Sequence, residues 1–100
     1  MAEVIWSPQA ASDLEAICEF IAKDSERYAA LFAQRIVDLA DSLACFPRSG
    51  RVLAGEGTPD LRQRIVGVYR LVYRIRGDDV EIVSIVHGAR HVDPGASRHD

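Results

Sequence analysis

The chain has 100 residues, of which 48% are hydrophobic and 27% charged, a length and balance expected of one folded domain that buries about two thirds of its unfolded surface. Its apolar runs fall far short of the ~20 residues a membrane span needs, and Met1-Ala2-Glu3 lacks the basic start and apolar core of an export signal, so the expected location is the cytoplasm, with no membrane partner. A formal net charge of −3 sets aside a general nucleic-acid binder, which depends on a strong positive field.

From the N-terminus, Glu3-Val4-Ile5-Trp6 is a short apolar strand stopped by Ser7-Pro8, where Ser caps a helix and Pro occupies its first position. In that helix Leu14, Ile17, Cys18 and Ile21 recur at i, i+3, i+4 and i+7, while Asp13, Glu15 and Glu19 fall elsewhere around the wheel. Asp24 or Ser25 caps a second helix whose stripe is Phe32, Ile36, Leu39, Ala40 and Leu43, ending at Phe46-Pro47. So short a connection makes the two helices antiparallel neighbours, and their joined stripes are wide enough to cover a sheet.

Residues 47–60 carry two prolines before Asp60, three glycines and no sustained period, which reads as a surface loop. Leu61 to Val66 alternates weakly, with Arg62 and Arg64 opposite Leu61, Gln63 and Ile65, and Gly67-Val68 is a turn. Tyr69, Leu71, Tyr73 and Ile75 then alternate with Arg70, Val72, Arg74 and Arg76, a half-buried strand with one apolar and one cationic face. Gly77-Asp78-Asp79 turns the chain into Val80 to Val86, whose unbroken apolar character predicts a strand covered on both faces. The tail from residue 91 to 100 has too few apolar groups to hold itself down and is expected to be flexible. The result is an α+β class: an N-terminal strand, then an antiparallel helical hairpin packed on one face of a small, mainly antiparallel sheet, in the order β-α-α-β-β-β.

Charge divides along the same line. Residues 1–60 hold five basic and ten acidic side chains and residues 61–100 hold seven and five, or −5 and +2, and all seven later cations are Arg. The planar guanidinium grips carboxylates and phosphates in pairs of hydrogen bonds, so the strands are expected to seek an acidic partner, and a protein suits the overall charge better than nucleic acid. Cys18, on the first helical stripe, and Cys45, near the end of the second helix, lack metal or redox spacing. They read as reduced structural thiols, and no metal or cofactor is expected.

Six stretches together resemble the RelE/ParE toxin superfamily of bacterial toxin–antitoxin modules, and its ParE branch most closely: Ile5-Trp6-Ser7-Pro8-x-Ala10-x-x-Asp13-Leu14, Phe20-Ile21-Ala22-x-Asp24-Ser25, Pro47-x-x-Gly50-Arg51, Pro59-Asp60-Leu61-Arg62, Tyr69-Arg70-Leu71-Val72-Tyr73 and Ile85-x-His87-x-x-Arg90. The resemblance implies a toxin held inactive by a cognate antitoxin that wraps it, with operator DNA reached only through that antitoxin. For the ParE branch it implies DNA gyrase as the target, bound and blocked without bond-making chemistry. For the RelE branch it implies a ribosome-dependent mRNA endonuclease, in which Arg62, Arg64, Arg70, His87 and Arg90 would be the catalytic set. A chain that has kept the fold as an interaction domain without toxicity is a third reading.

The residues favour the non-enzymatic branch. His87 reads either as a general base or as a strand-end histidine bonded to backbone, and the second is preferred because Glu81, on the same face by alternation, is too far away to pair with it. Arg62, Arg64, Arg70, Arg74 and Arg90 are the expected binding set for antitoxin or target, four of them on one side of the sheet. Tyr69 and Tyr73 alternate with the arginines and are expected in the core. The nuclease branch would also have a late aromatic residue, which is missing after Arg90.

Overall fold

The computed structural model describes residues 2–53 and 60–88. They form β1 (Val4–Trp6), α1 (Pro8–Ala22), α2 (Glu26–Ser42), a 3-10 turn (Pro47–Ser49), β2 (Arg51–Val52), β3 (Asp60–Val66), β4 (Tyr69–Arg76) and β5 (Asp79–His87). The expected α+β order is present, with one addition. The stretch read as loop from Pro47 contains the short edge strand β2, which pairs antiparallel with β3 through Arg51↔Gln63 and Val52↔Arg62. Two residues are too few to show an alternation.

The sheet order is β1-β5-β4-β3-β2. All neighbours are antiparallel except β1, which lies parallel to β5 with Val4↔Val80 and Trp6↔Ile82. Both hairpins have two-residue loops opened by a glycine, Gly67 at φ 59 and Gly77 at φ 61, a left-handed conformation that costs glycine nothing. Asp79 belongs to β5 rather than the turn, opposite Arg76.

Ser7 begins α1 as expected, and of the two candidates Asp24 and Ser25 it is Ser25 that begins α2, each hydroxyl accepting the N–H three residues on, Ala10 and Tyr28, at 3.0 Å. Between the helices and one face of the sheet lies the core: Ala10, Phe32, Ile36, Ala40 and Leu43 against Val66, Leu71, Tyr73, Val80, Ile82 and Ile85. Leu14, Ile17, Cys18 and Ile21 pack on its margin. The Cys18 thiol approaches the Ala29 carbonyl at 3.9 Å, and burial raises its pKa above the ordinary cysteine value.

Val80 to Val86 is not covered equally on both faces. Val72 pairs with Ser84 but Tyr73 with Ile82, so Val83 is an extra residue, a β-bulge. Val80 and Ile82 before it and Ile85 after it all reach the core, and this change of phase is why the run looks apolar throughout. The start of α1 closes the bulge. Ser7 donates its backbone N–H to the Ile82 carbonyl at 3.0 Å and its hydroxyl to the Val83 carbonyl at 2.9 Å, while Asp13 Oδ2 accepts the Ile85 N–H at 3.0 Å.

Opposite the bulge, Tyr73 is fully buried. Its hydroxyl donates to the Pro47 carbonyl at 2.7 Å and accepts the Gly50 N–H at 2.8 Å, which fastens the segment after α2 to the core. A Cβ on Gly50 would stand 2.5 Å from that oxygen and 2.8 Å from the Gln63 carbonyl, so only glycine fits. Tyr73→Phe should therefore lower unfolding free energy by about 1–3 kcal/mol, the cost of leaving buried polar groups unpaired, read as a lower urea midpoint with an unchanged slope. An unchanged midpoint would show that the clasp contributes nothing.

Candidate functional site

The basic side chains of the sheet occupy two faces, not one. The two-residue loop pairs Val66 with Tyr69, so Arg64 lies opposite Leu71 and Arg62 opposite Tyr73, on the face that meets the helices. Arg70 and Arg74 lie opposite Ile65 and Leu61, on the other face. The expectation of four arginines on one side is thus corrected by the register of the hairpin.

Each of the four is also engaged within the chain. Arg62, its side chain only 14% exposed, donates from Nε to Asp60 at 2.9 Å and from Nη1 to the carbonyls of Arg48 (3.2 Å) and Gly50 (3.0 Å). Arg64 reaches Ser49 Oγ at 2.9 Å. This pair locks the 47–50 segment to β3 at the same place that Tyr73 holds it from below. On the other face, where Gln63 and Val72 are buried, Arg70 donates to Gln63 Oε1 at 3.0 Å. Arg74 donates twice to Glu81 Oε1, at 3.1 and 2.8 Å, and Arg76 adds a third, longer contact at 3.4 Å. These cations arrange the protein's own surface, and Arg76, outside the expected binding set, shares the carboxylate of Arg74.

His87 stands at the exposed end of β5, opposite Tyr69, whose ring it meets edge-on with centroids 5.6 Å apart. Tyr69 in turn lies 5.1 Å from Phe32 of α2. Glu81 was expected on the face of His87. The bulge between them reverses this: Glu81 pairs with Arg74 on the face away from the helices and His87 with Tyr69 on the helical face. The two are separated by the sheet itself and cannot share a proton. Arg90 and the tail from residue 91 lie outside the described residues. Among the described residues, no group of three or more His, Cys, Asp or Glu side chains is placed to hold a metal ion, and no helix is long and apolar enough to cross a membrane.

Asp13 is the polar residue the periodicity undervalued. Its wheel position marks it as solvent-facing, yet its carboxylate fixes the β5 bulge from α1. The signal that could have found it was its place in the Ser7-Pro8-x-Ala10-x-x-Asp13 stretch.

Comparison with known proteins decides the family. Residues 4–92 match the model of the ParE toxin of the type II toxin–antitoxin system parDE. The chain belongs to the ParE toxin family. A relative from Caulobacter vibrioides, named toxin RelE2, is 38% identical over 91 residues, covering 90% of this chain and 99% of its own. Among solved structures, the chromosomal ParDE toxin–antitoxin system of P. aeruginosa matches with a TM-score of 0.71 at 23% identity, over 87% of this chain and 96% of that one. The RelBE2 toxin–antitoxin complex of Mycobacterium tuberculosis gives 0.60 at 28% identity, over 86% and 96%. This ParE-family chain therefore carries the fold common to toxins bearing both the ParE and the RelE names.

The Arg74 and Arg76 hydrogen bonds and charges hold the Glu81 carboxyl below its ordinary pKa, with hydrogen bonding to Arg74 the largest cause and partial burial opposing it. A carboxyl depressed on folding stabilises above its unfolded pKa, and that contribution fades as pH falls through the folded value. Glu81→Gln should accordingly be less stable than the wild type at neutral pH, with the gap closing in acid below the ordinary glutamate range. Thermal melts of both proteins across pH check this, and a gap that widens in acid would contradict it.

Proposed function

We propose that this chain is the toxin of a type II toxin–antitoxin pair, that it acts by binding and blocking DNA gyrase without making or breaking bonds itself, and that a cognate antitoxin neutralises it. The observation that carries the reading is the match to the ParE toxin model across residues 4–92. The bulge sets Glu81 and His87 on opposite faces of β5, so these two are not one acid–base pair, and the engagement of Arg62 and Arg64 with the 47–50 segment keeps them from converging with Arg70 and Arg74 on a phosphate. A net charge of −3 agrees with a protein target more than with ribosomal RNA.

The RelE2 name of the Caulobacter vibrioides relative and the exposed His87 against Tyr69 favour a second reading, a ribosome-dependent mRNA endonuclease using Arg70, His87 and Arg90. Arg70, Arg74 and Arg90 are proposed as contacts to antitoxin or target, with Arg62 and Arg64 supporting them through the segment they hold. Purified protein assayed in parallel for gyrase supercoiling and for cleavage of message on programmed ribosomes separates the readings, with added antitoxin as control. Loss of supercoiling with intact message is the expected result. Cleaved message with normal gyrase would overturn it.

A further inference from the structure

The second half of β5 has two admissible phases, and its apolar residues alone do not choose between them. In the bulged strand Ile85 is buried opposite Leu71, His87 lies opposite Tyr69, and Ser84 lies opposite the buried Val72 on the face away from the helices. A regular strand without the extra residue would move every residue after Ile82 by one place. Val83 would then lie opposite Val72, Ser84 opposite Leu71, Ile85 opposite Arg70 and Val86 opposite Tyr69. The helical face would exchange Ile85 and His87 for Ser84 and Val86, while the other face would exchange Ser84 and Val86 for Val83 and Ile85. Apolar groups remain on both faces, and the ladder that the bulge interrupts is whole again.

Two serines oppose the regular phase. Ser84 would bring a short side chain and a hydroxyl into the slot that Ile85 fills beside the fully buried Leu71, at the cost of a cavity and of a polar group removed from water. Ser7 acts from the other side of the strand. The Ile82 carbonyl points away from β4 to the Ser7 N–H, so regular alternation would turn the next carbonyl, that of Val83, inward to β4. The bulge leaves it outward, where the Ser7 hydroxyl donates to it at 2.9 Å. The same hydroxyl accepts the Ala10 N–H, so one side chain both starts α1 and holds the phase of β5.

We infer that Ser7 and Ser84 are the positioning residues of His87: together they hold β5 in the bulged phase, which sets the imidazole against Tyr69 and off the face of Arg70, Arg74 and Glu81. Both act through the strand and not by contact with the imidazole. With both preferences removed, the end of β5 turns over as a unit, and His87 leaves Tyr69 for the face that carries Glu81. The inference is independent of which target the chain acts on.

Ser7→Asp keeps an acceptor for the Ala10 N–H but has no proton to donate to Val83, and Ser84→Val removes the hydroxyl from the competing phase. Assigned NMR spectra of the full chain read the phase directly. Contact between the Tyr69 and His87 rings, with Val72 across from residue 84, marks the bulged strand; Val72 across from Val83, with Tyr69 across from Val86, marks the regular one. The wild type and Ser7→Asp should show only the first pattern. Ser84→Val should add exchange broadening of the amides of residues 82–87, and the double variant should lose the Tyr69–His87 contact and show the second pattern as its major form. A folded double variant with wild-type contacts overturns the inference, as does Ser7→Asp alone in the second pattern, since Ser84 would then have no part. Should circular dichroism show the double variant unfolded, Ser84→Val decides: sharp β5 amides at their wild-type shifts overturn the inference, and broadened ones uphold it.

Discussion

One inserted residue, Val83, decides how this sheet presents its side chains. Before the bulge, even-numbered residues of β5 face the helices, and after it odd-numbered ones do, so Ile82 and Ile85 can share one core. The extra residue disturbs the β-ladder and needs hydrogen bonds from elsewhere. Ser7 and Asp13 supply them from the first two turns of α1 and its cap. The same bonds that repair the ladder therefore set where α1 docks, and the cap that starts the helix also ties it to the sheet. Strand β1, parallel to β5 and running directly into Ser7, is drawn into the same junction.

The consequence for chemistry follows from geometry alone. Without the bulge, Glu81 and His87, six residues apart, would project from one face. With it, the carboxylate joins Arg74 and Arg76 on the face away from the helices while the imidazole meets Tyr69 edge-on on the other. The site is thus an arrangement of separately satisfied groups. Arginines that could have formed one cationic patch instead act as two pairs, Arg62 and Arg64 clasping the 47–50 segment, and Arg70 and Arg74 bonded to Gln63 and Glu81.

Such engagement changes how the basic half of the chain meets a partner. A guanidinium already bonded to a carboxylate gains less from a second anion than a free one, because the new contact must compete with the old. The surfaces with most to gain are the exposed apolar groups of the helical hairpin, whose hydration is relieved by any complementary contact. Exposed apolar groups on the helices and engaged cations on the sheet are thus two distinct surfaces of this ParE-family chain. That division suits a small acidic domain whose cations have structural tasks.

Much of the architecture was legible in the residues. The stripes of α1 and α2, the caps at Ser7 and Ser25, the glycine-led turns and the buried faces of Tyr69, Leu71 and Tyr73 all follow from periods and preferences confined to a few neighbouring residues, and such local rules hold wherever the segment sits. Even the splitting of the arginines lay within reach, since a two-residue turn at Gly67-Val68 pairs even positions of β3 with odd positions of β4. What only the tertiary structure decided was the phase of β5, the two-residue strand β2 and the buried task of Asp13. Each depends on a partner distant in the chain: Val83 on Ser7, Arg51 on Gln63, Asp13 on the Ile85 amide. A strand's own alternation records which residues are apolar, but a bulge moves the apolar face by one position without leaving a mark on composition. Only the bonds that satisfy the displaced backbone show where that step occurs.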